Sequence, residues 1–244
     1  MKKAQLVIVF LLCTLCYNNT LTAQLFTEYK PNSIDLIVGV EYGHRLLYNQ
    51  SGSENEESII DFRNNKDKGK TNYRLGFNYN IQLKRKLYLK TGIRYVHAGY
   101  KTRSPFYTNY EQATEILEKD FQPHSGSYFQ QIYQMLEFPL AIRYVYSENW
   151  CKSYIEAGLS ANHHLQTKFI GKTEDGERQQ IVWDENINSW NLSSAIAIGA
   201  EFLIRRELPA FIQMTARYQI TSLSESVGER LIAMGIESGV RYEF

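Results

Sequence analysis

From Ser33 onward, apolar and polar residues alternate one by one in long runs separated by polar stretches. In the run Ser33–Leu47, Ile34, Leu36, Val38, Val40 and Tyr42 share one parity, while Asp35, Gly39, Glu41 and Arg45 share the other. A period of two puts these sets on opposite faces of a β-strand. The same reading predicts eight strands: Ser33–Leu47, Thr71–Leu83, Leu87–Thr102, Gln131–Tyr146, Ser153–Phe169, Ser189–Ile204, Ala210–Ser222 and Leu231–Phe244. Most exceed the five or six residues usual in globular strands and suit a tilted membrane strand of nine or more.

The links between the runs alternate in length. Short links fall at Lys84–Lys86, Ser147–Lys152 and Arg205–Pro209. Long ones fall at Tyr48–Lys70, Arg103–Gln130, Ile170–Asn188 and Leu223–Arg230. A meander with tight turns at one end and long loops at the other has this rhythm. Within the loop Arg103–Gln130, Ile116 and Leu117 suggest a short helix near Glu111–Phe121.

Sorting every strand by parity separates the chemistry. One face is bulky and apolar, and no Asp, Glu, Lys or Arg falls on it. The other collects the strand charges: Asp35, Glu41, Glu137, Glu156, Glu201 and Glu237 against Arg45, Arg74, Lys90, Arg94, Arg143, Arg217 and Arg241. That face also holds Gly39, Gly43, Gly76, Gly92, Gly158, Gly199, Gly235 and Gly239. Eight strands enclose a space just wide enough for side chains, so long Arg and Glu chains inside it need small neighbours. On the apolar face, Tyr42, Tyr95, Tyr144, Tyr146, Tyr218 and Tyr242 lie near strand ends, the level of an interfacial aromatic girdle. A soluble barrel would invert the two faces. The small residues and the girdle favour charges inside and apolar groups in lipid. The predicted fold is therefore all-β: an eight-stranded antiparallel up-and-down transmembrane β-barrel. An Arg or Lys on its lipid face would cost about 2–4 kcal/mol at mid-membrane, which accounts for their absence there. Pro139, which lacks a ladder donor, is expected to mark a bulge or kink.

Composition adds the destination. Met1-Lys-Lys precedes the apolar stretch Leu6–Cys13, which is too short to span a bilayer, and Ala23–Gln24 offers a cleavage point. Residues 1–23 are expected to be a cleaved signal peptide and 24–244 the barrel domain. Cys13 and Cys16 leave with the signal, so Cys151 remains alone and no disulfide is expected. The chain carries 27 basic and 26 acidic residues, without a basic stripe, so no nucleic-acid partner is expected. No cysteine–histidine cluster has metal spacing, and no cofactor is expected.

The stretches "SIDLIVGVEYG" (33–43), "YQMLEFPLAIRYVY" (133–146), "YIEAGLS" (154–160) and "GVRYEF" (239–244), with "TAQ" at 22–24, resemble the PorT-like outer-membrane β-barrel proteins of Bacteroidetes. The resemblance covers the mature chain as a pattern of barrel strands. It implies an outer-membrane barrel in a Gram-negative envelope but no shared activity. One member type serves a protein-secretion system, and no motif here carries that role over. The ending Val240-x-Tyr242-x-Phe244 resembles the carboxy-terminal signal by which the barrel-assembly machinery recognises its clients.

The functional expectation is an integral outer-membrane barrel with a charge-plugged lumen, both termini periplasmic and the long loops extracellular. Its role is structural or accessory binding at the cell surface, in contact with outer-membrane lipid. The aromatic-rich loop 103–130 is the candidate contact for an extracellular protein partner, because loops on rigid scaffolds carry recognition. Two alternatives stand beside it. A small-solute or ion path would use the same luminal charges. A lipid-modifying enzyme would need His44, His97, His163 or His164 brought together with a nucleophile and a carboxylate.

Overall fold

The computed structural model describes residues 32–48, 60–61, 64–65, 67–103, 128–148, 151–172, 178–182, 187–205, 208–224 and 228–244. Residues 1–31, with Ala23 and Gln24, lie outside these, as do the expected helix near 111–121 and nearly all of loop 103–130.

Nine strands are present among the described residues: β1 (Asn32–Tyr48), β2 (Lys68–Lys84), β3 (Leu87–Arg103), β4 (Tyr128–Glu148), β5 (Lys152–Lys172), β6 (Arg178–Val182), β7 (Trp190–Arg205), β8 (Leu208–Gln219) and β9 (Gly228–Glu243). Hydrogen bonding runs β4-β3-β2-β1-β9-β8-β7-β5, and β4 pairs again with β5. Eight strands thus close on themselves as an antiparallel β-barrel, which leaves each of them a neighbour on both sides and its backbone groups satisfied. The ninth, β6, is an addition to the predicted set. It pairs only with the outer end of β5, Lys168–Lys172 against Arg178–Val182.

Closure joins the start of β1 to the end of β9. Ser33 faces Glu243 in the β1–β9 ladder, and the Phe244 amide donates to the Asn32 carbonyl at 3.1 Å. The rim that carries these ends also carries the short links β2–β3, β4–β5 and β7–β8. The strand ends that the long connections join lie at the opposite rim, here called the mouth.

Parity holds along β1 with hardly a break: even positions face outward and odd positions are buried from Ser33 to Leu47. Elsewhere irregularities bend it. In β5 the pairing passes from Gln134↔Gln166 to Met135↔His164, so Leu165 is an extra residue. Such a bulge flips the inward parity from even to odd, and Asn162 and Thr167 are both fully buried on either side of it. Pro139 behaves differently from the expected bulge. Pairing to β3 goes from Leu140↔Thr91 to Glu137↔Arg94 without a register change, and pairing to β5 runs straight through Pro139↔Ser160. The missing donor opens a gap in one ladder and leaves the strand in step.

Candidate functional site

The strands set the address of every charge. All thirteen charged residues assigned to the inner face are buried, with Asp35 and Lys90 at 0% exposure. The opposite parity is exposed and apolar through the middle of the wall, as in Ile196 at 64% and Met214 at 63%. The expected absence of charge on it fails near the mouth, where Lys101 has the parity of Tyr95 and the bulge at Leu165 turns Lys168 outward. Burying an ionised group is unfavourable unless it is paired and hydrogen-bonded. The lumen answers this in three layers.

Nearest the rim of the short links, Arg241 grips Asp35 through Nε at 2.7 Å and Nη2 at 3.2 Å and also bonds Glu201. Lys90 donates to Glu156 at 2.5 Å, and Arg143 Nε reaches the same carboxylate at 3.2 Å. The Arg143 guanidinium lies 4.1 Å over the Tyr154 ring, a cation–π contact that replaces part of its lost hydration. Lys152 closes the layer toward solvent, 3.3 Å from Glu201.

The middle layer shares its partners. Arg74 lies 3.0 Å from Glu41, 2.9 Å from Glu237 and 3.5 Å from Glu137. Glu137 in turn holds Arg94 at 3.0 Å and Arg217 at 3.2 Å, and Arg217 returns to Glu41 at 2.5 Å. Three guanidinium groups and three carboxylates form one closed, electrically neutral set. Neutral amides finish it: Arg94 Nε donates to Asn78 at 2.8 Å, and Gln213 donates to Glu237 at 2.5 Å. A cavity of about 20 Å³ remains beside Arg74, Arg94, Gln213 and Glu237, room for a single water.

At the mouth, Arg45 donates to Asp67 at 2.8 Å and to the Tyr100 hydroxyl at 2.6 Å, and stands 3.8 Å from Glu229. Tyr133 donates to Glu229 at 2.5 Å. Around these groups Val96, Ala98, Tyr100, Tyr133, Met135, Leu223 and Leu231 pack into a buried apolar cluster joined by Ile187. Leu223 is drawn in from the β8–β9 connection, where its amide donates to the Glu229 carbonyl and its carbonyl accepts from Asn188, both at 2.8 Å.

Several of these groups carry the site without being charged strand residues. Tyr154 and Phe211 share the inner parity, and glycines make room for them. A Cβ on Gly199 would lie 2.6 Å from the Tyr154 hydroxyl, and one on Gly239 would lie 2.6 Å from Phe211. The parity signal extends to Tyr100, Tyr133, Asn78 and Gln213. Asp67 precedes its strand and Leu223 follows one, so alternation does not reach them.

The histidines do not converge. His44 and His97 face outward, and His97 stacks on Tyr73 with ring centroids 4.3 Å apart. His163 packs on Trp190 outside, while His164 points inward and bonds Thr167 at 2.8 Å. Adjacent strand residues thus take opposite faces, as a pleat requires. Among the described residues, no group of three potential metal ligands is present. Val240, Tyr242 and Phe244 line up on the outer face of β9, with Tyr242 and Phe244 stacked at 6.1 Å.

Outer membrane protein beta-barrel domains match residues 22–227. Among solved structures, Neisserial surface protein A is similar over 86% of this chain and 97% of its own, at 10% identity and a TM-score of 0.43. A major outer membrane protein from Thermus thermophilus is similar over 86% and 99%, also at 10% identity and 0.43. Ail, the attachment invasion locus protein of Yersinia pestis, covers 88% of this chain and 100% of its own, at 12% identity and 0.35. No curated protein matches the sequence. Matched over most of its length, and with eight strands that close around a charged interior, the chain belongs to the outer membrane protein beta-barrel domain family.

Proposed function

We propose that this protein is a closed barrel that passes no solute and acts through its surface, as a structural or accessory binding element of the outer membrane. The observation that carries this reading is the middle layer. Arg74, Arg94 and Arg217 interlock with Glu41, Glu137 and Glu237 across the whole bore. A hydrated ion would have to displace several buried pairs at once, and breaking one such pair costs about 3–5 kcal/mol. An open pore instead keeps an aqueous lumen.

The short turns, the start of β1 and the end of β9 share one rim, which supports a periplasmic position for that rim and an extracellular one for the long connections. The outward row Val240, Tyr242, Phe244 serves recognition by the barrel-assembly machinery. Loop 103–130 is the proposed contact for an extracellular protein. The resemblance to PorT-like barrels makes a secretion complex the first partner class to test there.

The test is conductance. Full-length protein inserted in planar bilayers, its folding checked by heat-dependent gel mobility, should give no stepwise current. Stable, reproducible channels would overturn the closed-lumen reading.

A further inference from the structure

The outer wall is apolar around most of the barrel, but one sector is not. On β3, β4 and β5 near the mouth, outward positions carry His97, Lys101, Gln130, Gln134, Gln166 and Lys168. Register aligns them: His97 pairs with Gln134, which pairs with Gln166, and Lys101 pairs with Gln130. Lys168 pairs with Ile132, which pairs with Gly99. Two strand spacings across and two residues along separate the Lys101 and Lys168 backbones by about 12 Å, a gap that two extended lysine side chains span.

Among the described residues, the outward positions of this sector gather positive charge and no acid. Lys68, exposed at the start of β2, pairs with Lys101 and adds a third lysine at this rim. Among the described residues, no carboxylate lies within ion-pair distance of Lys101 or Lys168. His97 Nδ1 is buried without a hydrogen-bond partner. The opposite rim is built differently: its outward Arg85 is matched by Glu148 at 3.5 Å. Like charges gathered at a surface repel unless an anion joins them. The sector also continues directly into the membrane wall through Tyr95, Tyr73 and Leu165, with Tyr73 and Tyr95 6.4 Å apart in an aromatic edge.

We propose that this sector binds the phosphate of a lipid headgroup, with Lys101 and Lys168 as counter-ions and the Gln130 and Gln134 amides as hydrogen-bond donors. The headgroup is favoured over a soluble anion because acyl chains would descend along the apolar wall beneath it. The inference rests on the membrane placement of that wall and is independent of whether the lumen conducts.

The experiment is native mass spectrometry of the full-length, detergent-solubilised barrel with phosphatidic acid, phosphatidylcholine or inorganic phosphate. Phosphatidic acid should be retained best, and added salt should strip it. The double variant Lys101→Gln/Lys168→Gln should weaken retention about thirtyfold, at roughly 1 kcal/mol per lysine near a membrane surface. Arg85→Gln at the other rim should change nothing. Equal retention of phosphatidylcholine, or of phosphatidic acid by the double variant, would overturn the proposal. So would inorganic phosphate that binds as tightly as the lipid. Gel mobility confirms that each variant is folded, and the salt dependence of the wild type stands as a test even where a variant is not.

Discussion

The middle of the barrel interior and its mouth both bury interacting side chains, yet they are built on opposite principles. In the middle, three arginines and three glutamates share partners, and every member sits on a strand whose parity aims it inward. At the mouth, one arginine bonds and lies over Tyr100 beside a packed apolar cluster that includes Met135, Leu223 and Leu231, and Leu223 comes from a connection. The middle is therefore specified by the barrel itself. The mouth depends on how a connecting segment settles over it. Loss of one partner should hurt the two regions unequally.

The largest effect is expected from Glu137→Gln. Glu137 serves Arg74, Arg94 and Arg217 together, and neutralising it leaves three buried cations short of an anion. A destabilisation of about 3–5 kcal/mol is expected, read as a lower urea midpoint for the folded, fast-migrating band. At the mouth, Leu223→Ala removes a fully buried side chain but at a site that can partly collapse, so about 2 kcal/mol is expected by the same assay. Should Leu223→Ala cost as much as Glu137→Gln, the contrast between the regions fails.

Gly199→Ala sharpens the comparison from another side. The added methyl meets Tyr154 and Gln213, and overpacking of this kind costs about 1–3 kcal/mol. Tyr133→Phe deletes the bond donated to Glu229 and the one accepted from Gln131 and is expected to cost about 1–2 kcal/mol, the range for a bond to a charged group and its unsatisfied partner. The smallest effect belongs to Arg85→Gln. Its pair with Glu148 is solvent-exposed, and the change is expected to stay within about 0.5 kcal/mol. Urea titrations of all these variants, run side by side, give the order directly.

Much of this was legible in the sequence because a barrel wall imposes one rule on every strand. The eight predicted runs match the closed strands to within a few residues, and the charges of the inner face fall where parity places them. What alternation could not supply has physical causes. Leu165 is an inserted residue, and nothing in its chemistry announces the parity change beyond it. Tyr100, Tyr133 and Tyr154 have the inner parity, but a phenol suits a membrane interface and a buried hydrogen bond equally, so residue type alone does not announce their luminal partners. Strand β6 was hidden in a polar link, since a short strand that pairs on one side needs no apolar face. Asp67 and Leu223 reach the mouth from outside the strands, where period two has no meaning.

The central claim is sidedness: apolar residues face hydrocarbon and their immediate neighbours face a closed interior. Met214 and Thr215 are adjacent on β8, 63% and 8% exposed, and lie at nearly the same depth in the wall. Spin labels placed singly at each, in a Cys151→Ser background reconstituted in lipid vesicles, report collision with oxygen dissolved in the bilayer. The account predicts high oxygen accessibility at 214 and low accessibility at 215. Equal values, or the reverse order, would contradict it.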